Sequence, residues 1–135
     1  MRLFTDDESR MIDVGTGSIW RSVYSTALLS LNDEQKEMIP YAMDFLKTGR
    51  CSAERIKETE KEFCSVITAF STLNPEEAVY DWKKPLESPP WKGNIASTVT
   101  SCANLYTTSD GEDLFTNVLL LLKYAGTNNL SISAE

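Results

Sequence analysis

The sequence predicts an α+β fold: one domain over residues 1–135, with a small, mostly antiparallel sheet packed with about four helices. Two observations carry that expectation. Apolar residues alternate near the two ends of the chain, as strands require, and recur three and four apart in between, as helices require. No repeat, low-complexity tract or linker separates the two patterns, so they belong to one body whose terminal strands are candidates for one sheet.

Phe4 and the segment Arg10-Met11-Ile12-Asp13-Val14 give one or two short strands, with Ile12 and Val14 on a common face. Gly15-Thr16-Gly17-Ser18 ends the pattern as a tight turn and offers Ser18 as an N-cap. The turn lacks the third glycine of a dinucleotide loop and the lysine of a phosphate loop. Ile19, Trp20, Val23, Tyr24, Ala27, Leu28 and Leu31 then form an apolar stripe along one side of a helix. Pro40 suits the first turn of a short helix that buries Tyr41, Ala42, Phe45 and Leu46 and ends at Thr48-Gly49. Ser52 is the expected cap of the next helix, with Ile56, Phe63, Val66, Ile67, Phe70 and Leu73 inward. Glu54, Lys57, Glu58, Lys61 and Glu62 make its solvated face, and Asn74-Pro75 closes it.

The second half reads differently. Ala78-Val79-Tyr80-Asp81-Trp82 has strand alternation, whereas Lys83 to Ile95 holds three prolines and reads as a structured loop packed over Trp91. Leu105 to Thr108 is a second strand candidate, followed by Ser109 and Glu112 at capping-box spacing. Leu114, Phe115, Val118, Leu119, Leu121, Leu122 and Ala125 make the last helix apolar over a wide face, which places it centrally. Gly126 is the expected stop, and Leu130, Ile132 and Ala134 alternate like a final strand.

The chain has 20 acidic and 13 basic residues, a net charge of -7. A field of that sign disfavours nucleic acid and anionic membrane as direct partners and speeds encounter with a basic one. It also serves plain solubility. Histidine is absent, which removes Ser/His and Cys/His nucleophiles and imidazole zinc sites. Cys51, Cys64 and Cys102 are odd in number and lack a Cys-x-x-Cys spacing, so neither a disulfide framework nor a redox motif is expected, and Cys64 reads as a core residue. The Met1–Glu8 stretch lacks the apolar run of a signal peptide, and the longest apolar run, Val118 to Leu122, is too short to span a bilayer. Cytoplasmic residence is the expectation.

Asp110, Glu112 and Asp113 gather where the last helix begins. Carboxylates are stabilising there because they face the positive end of the helix dipole, and capping explains them better than a metal or an acid–base pair. Asp6-Asp7-Glu8 reads as a solvated tip, and Trp82 as a candidate interface anchor. No catalytic residue, cofactor or metal site emerges.

The residues just described resemble a known family. Pro89-Pro90-Trp91, Gly93-Asn94-Ile95, Asn104-Leu105-Tyr106 and Thr108-Ser109-Asp110-Gly111 leading into Asp113-Leu114-Phe115 are similar to the immunity protein 70 family of bacterial polymorphic toxin systems. Gly15-Thr16-Gly17-Ser18, Ser25-Thr26 and the Pro40 helix ending at Gly49 echo it in the same order. The resemblance implies a cytoplasmic protein that binds the C-terminal domain of a cognate toxin and blocks it, as in contact-dependent growth inhibition. Many such toxins are nucleases, with a basic cleft that an acidic inhibitor can occupy. The family supplies no catalytic residue to carry over. From the acids Asp6, Asp7, Glu8, Glu76, Glu77, Asp81, Glu87, Asp110, Glu112 and Asp113, the expected toxin contacts are Asp81, Glu87, Asp110 and Asp113, which bracket loops rather than a helix face. The alternatives are a small carboxylate-dependent enzyme and a non-catalytic adaptor with another protein partner.

Overall fold

Both ends of the chain meet in one sheet, which is why the terminal segments carry the strand pattern. In the computed structural model, which describes residues 1–135, strand β1 (Arg2–Thr5) lies between β2 (Met11–Asp13) and β3 (Ile132–Ala134), antiparallel to each. Leu3 faces Ile12 on one side and Ala134 on the other, and it is fully buried. The helices are α1 (Gly17–Ser30), α2 (Asp33–Glu37), α3 (Pro40–Thr48), α4 (Ile56–Phe70) and α5 (Leu114–Thr127). Helix α5 touches β1 and β2 and packs along α4; α4 packs on α3, and α3 on α1. The chain is thus a single α+β domain with one hydrophobic core.

That core follows the apolar stripes. Trp20, Val23 and Ala27 of α1, Ala42, Phe45 and Leu46 of α3, and Ile56, Phe63, Val66 and Phe70 of α4 are buried with Leu114, Phe115, Val118 and Leu122 of α5. Edge-on aromatic contacts run through it: Trp20 to Phe45 at 5.4 Å, Phe45 to Phe63 at 6.4 Å, and Phe63 and Phe70 to Phe115 at 5.5 and 5.3 Å. Such pairs add to burial because ring edges and faces carry opposite partial charge.

Helix ends account for most of the departures from the sequence reading. Thr16, not Ser18, occupies the α1 N-cap, and the two hydroxyls bond each other at 2.7 Å. Helix α2 was not anticipated; Asn32 and Gln35 form its reciprocal capping box. Ser52 does not cap α4, which begins only at Ile56 after a turn. Glu62 is not merely a solvated residue. Its Oε1 accepts the Tyr41 and Ala42 N–H groups at 2.8 and 3.0 Å, satisfying the start of α3 from across the helix pair. Tyr41 itself is exposed beneath the Arg55 guanidinium rather than buried. Cys64 is also exposed, and the buried thiols are Cys51 and Cys102.

Two glycines hold close approaches. Gly49 ends α3 at φ +74°, and a Cβ there would come within 2.8 Å of the Ala134 Cβ, so the α3 terminus can seat against β3. Gly126 does not stop α5, which runs on to Thr127. It sits inside the helix, where a Cβ would lie 3.2 Å from the Ile56 Cγ2, so its smallness serves the α4–α5 contact.

Candidate functional site

Between α4 and α5, residues 71–113 contain no strand, only two short 3₁₀ turns, Pro75–Glu77 and Cys102–Asn104. Both predicted strands here are absent. Residues 78–82 do run past a neighbour, but that neighbour is a helix, and its side chains replace a strand's backbone. Val79 N–H donates to the Thr26 Oγ1 at 2.8 Å, and the Ser22 Oγ donates to the Val79 carbonyl at 2.7 Å. The Tyr106 hydroxyl lies 3.0 Å from both Thr26 and Ser22. With the two ends fixed by Val79, the proton directions follow: Thr26 donates to Tyr106, and Tyr106 donates to Ser22. The result is a closed ring of four hydrogen bonds in which each hydroxyl both gives and accepts. Ser25 extends the grip by accepting the Trp82 N–H at 2.9 Å.

Residues 105–108 fail as a strand for a similar reason. Only Thr107 pairs, with Asp113, while Tyr106 turns inward to close the ring. Burial pushes the Tyr106 phenol up to about 12, and its two hydroxyl partners only partly offset this. Burial likewise pushes Cys102 up to about 12 and raises Cys51. These shifts keep the three groups protonated and inert near neutrality. Tyr106 also continues the aromatic path out of the core. Its ring centroid is 6.0 Å from that of Phe115 and 5.9 Å from that of Trp91, and Trp91 is 5.9 Å from Tyr80. Trp91 is half-buried under the proline-rich loop, as its sequence context suggests.

The four acids singled out above fall into two kinds. Asp81 is buried; its carboxylate receives the Lys83 N–H at 3.0 Å and lies 3.9 Å from the Arg21 guanidinium. Asp113 is the true N-cap of α5, accepting the Thr116 N–H at 2.9 Å and its hydroxyl at 2.6 Å; the Ser109–Glu112 capping box does not form. Glu87 and Asp110 are exposed, and neither side chain is hydrogen-bonded or ion-paired. Glu87 closes a Lys84–Glu87 turn in the proline-rich loop, and Asp110 sits in a turn tied to β2 by the Ser109 N–H on the Asp13 carbonyl, 3.0 Å. Trp82 is 38% exposed, edge-on to Tyr24 with Lys83 above its ring.

A cleft of about 740 Å³ opens between the Pro75 turn and the proline-rich loop. Glu76 and Glu87 line it together with Trp91, Leu86, Ile95 and Lys92. Glu87 and Trp91 lie 11 and 15 residues of irregular chain beyond Glu76, a gap that no periodicity spans, so their meeting in one cleft is not legible in the sequence. The hydroxyl row was readable: Ser22, Ser25 and Thr26 stand three and four apart on a helix otherwise apolar on that side, which marks a polar seam for backbone. No three metal-ligating side chains converge anywhere in the chain, and no helix is long and apolar enough to cross a membrane.

Comparison with known proteins adds a family. The model described as immunity protein 70 matches residues 4–133, almost the whole chain, and the protein therefore belongs to that family. No curated protein and no solved structure matches.

Proposed function

We propose, from its membership of the immunity protein 70 family, that this protein binds the C-terminal domain of one cognate toxin and neutralises it by covering its substrate cleft. Membership implies a toxin partner and a class of generally non-catalytic inhibitors in polymorphic toxin systems. The observation that carries the occlusion reading is the irregular face between α4 and α5. It is concave, held rigid from beneath by side-chain hydroxyls and aromatic rings, and edged by unpaired carboxylates. A preformed face loses little entropy on binding, and negative charge complements the basic cleft of a nuclease, the toxin type this charge fits best. The protein acts in the cytoplasm, where a toxin of that kind meets its substrate.

Glu87 and Asp110 make direct contacts in this scheme. Asp81 and Asp113, held by Arg21 and by the start of α5, fix the loops that present them. The protein does no chemistry of its own. A carboxylate enzyme needs a desolvated acid beside a second one, whereas Glu76 and Glu87, the acids of the main cleft, are both exposed. Co-expression with the C-terminal domain of the toxin encoded next to its gene is the test. Survival of the cells supports the proposal, and continued killing overturns it.

A further inference from the structure

We infer that the cleft beneath the proline-rich loop is a receptor for one cationic side chain, a lysine or arginine projecting from the toxin. The inference rests on the toxin-binding reading and names where and how the partner is gripped. Two acids, Glu76 and Glu87, reach the cleft from separate segments, and neither forms a salt bridge within the chain. One cation, Lys92, stands against them, so the lining carries a net charge of minus one. Apolar side chains share the lining with these charges: Leu86, 98% exposed, Ile95, and the half-buried Trp91.

That combination fits a long side chain with an aliphatic stem and a positive head. The stem lies along leucine and isoleucine, while the head meets carboxylate and indole together. A carboxylate-bearing side chain would face repulsion, and a purely apolar one would strip water from two acids without replacing it. At about 740 Å³ the cleft admits such a side chain with the backbone that carries it. It is also preformed. Pro75, Pro85, Pro89 and Pro90 restrict its two rims, and Tyr80 and Tyr106 hold the Trp91 ring from two sides at 5.9 Å each. Leu86 gains on complex formation what it lacks in the free protein, a surface to cover it.

The test measures affinity for the purified, catalytically inactivated C-terminal domain of the toxin encoded next to this chain's gene, by calorimetry at fixed salt. Glu76→Gln with Glu87→Gln should weaken binding by at least about tenfold. Lys92→Gln, which removes the opposing charge, should tighten it by about two- to fivefold, an outcome that damage to the fold cannot mimic. Among Lys→Gln and Arg→Gln variants of the toxin domain, one should lose its own effect in the Glu76→Gln/Glu87→Gln background, as a direct pair requires. If the wild-type chain binds and protects but the glutamate and Lys92 variants bind as it does, the receptor is overturned and the immunity reading stands. If the wild-type chain does not bind at all, both fall.

Discussion

The two halves of this molecule hold their shape by different means. In the helices and sheet, side chains point inward and the backbone satisfies itself. Leu3, Phe45, Phe63 and Leu122 are wholly or almost wholly buried, and helical and strand hydrogen bonds do the rest. In residues 71–113 the backbone borrows its partners from side chains: Ser22, Ser25 and Thr26 on α1, and Cys102, whose thiol donates to the Asn74 carbonyl at 3.2 Å. The first method gives stability that tolerates surface change. The second gives a defined surface without regular structure, which suits a region whose task is to fit one partner. The two are joined at Phe115 and Tyr106, whose rings lie 6.0 Å apart.

The joint is the place to break the arrangement. Phe115→Ala removes the ring shared by Phe63, Phe70 and Tyr106 and should cost about 3–5 kcal/mol in urea unfolding, loosening both regions together. A loss below about 1 kcal/mol would mean that the two regions are not coupled through this ring.

Alkaline pH probes the same joint more gently. The unfolded chain releases the Cys102 and Tyr106 protons near 9.0 and 10.0, while the folded protein holds both to about 12. Ionisation therefore favours the unfolded chain. The stability is complete below pH 9 and falls as pH rises through 10 toward 12, with Tyr106 accounting for on the order of 2 kcal/mol of the loss. Denaturant midpoints measured from pH 8 to 11 should drop accordingly, and Tyr106→Phe should flatten the upper part of that fall. An unchanged slope in the variant would remove Tyr106 from this role.

Thr26→Val opens the hydroxyl ring while keeping the shape of the side chain. It leaves the Val79 N–H without its acceptor and should cost about 1–2 kcal/mol. The sharper readout is local. Hydrogen exchange should quicken at Val79 and the loop behind it while amides of α4 and α5 stay protected. Equal loss of protection everywhere would show that the second region has no independent stability.

This contrast also explains what the sequence reveals. Where burial sets the structure, periodicity reports it: the inward faces of α1, α4 and α5 and the terminal strands sit where apolar spacing puts them. Where side chains cap or clasp backbone, spacing misleads. Asp113 displaces the Ser109–Glu112 box because its carboxylate stands next to the first helical residue. Ala78–Trp82 alternates like a strand, yet Tyr80, Asp81 and Trp82 in succession meet Arg21 and Tyr24 of α1, and the backbone's partners are hydroxyls from residues more than 50 positions earlier. Glu62 appears as one more surface acid until α3 is brought against it. Of the four candidate acids, Asp81, Glu87 and Asp110 lie in irregular chain and Asp113 at the start of α5. Asp113 is occupied by Thr116, three residues on, and Asp81 by Lys83 and by Arg21, the one partner distant in sequence, whereas Glu87 and Asp110 are free.

The smallest expected effect on stability is also the most telling for function. Glu87→Lys with Asp110→Lys alters two exposed residues whose side chains make no hydrogen bond or ion pair, so the unfolding free energy should stay within about 0.5 kcal/mol of the wild type. The decisive measurement is the affinity of this pair of variants, beside the wild-type chain, for the isolated toxin domain. Tight one-to-one binding by the wild type, with at least about a hundredfold loss on charge reversal and loss of protection in co-expressing cells, is what an acidic occluding face requires. Equal affinity and equal protection in the two proteins would contradict it and move the toxin contact to another surface.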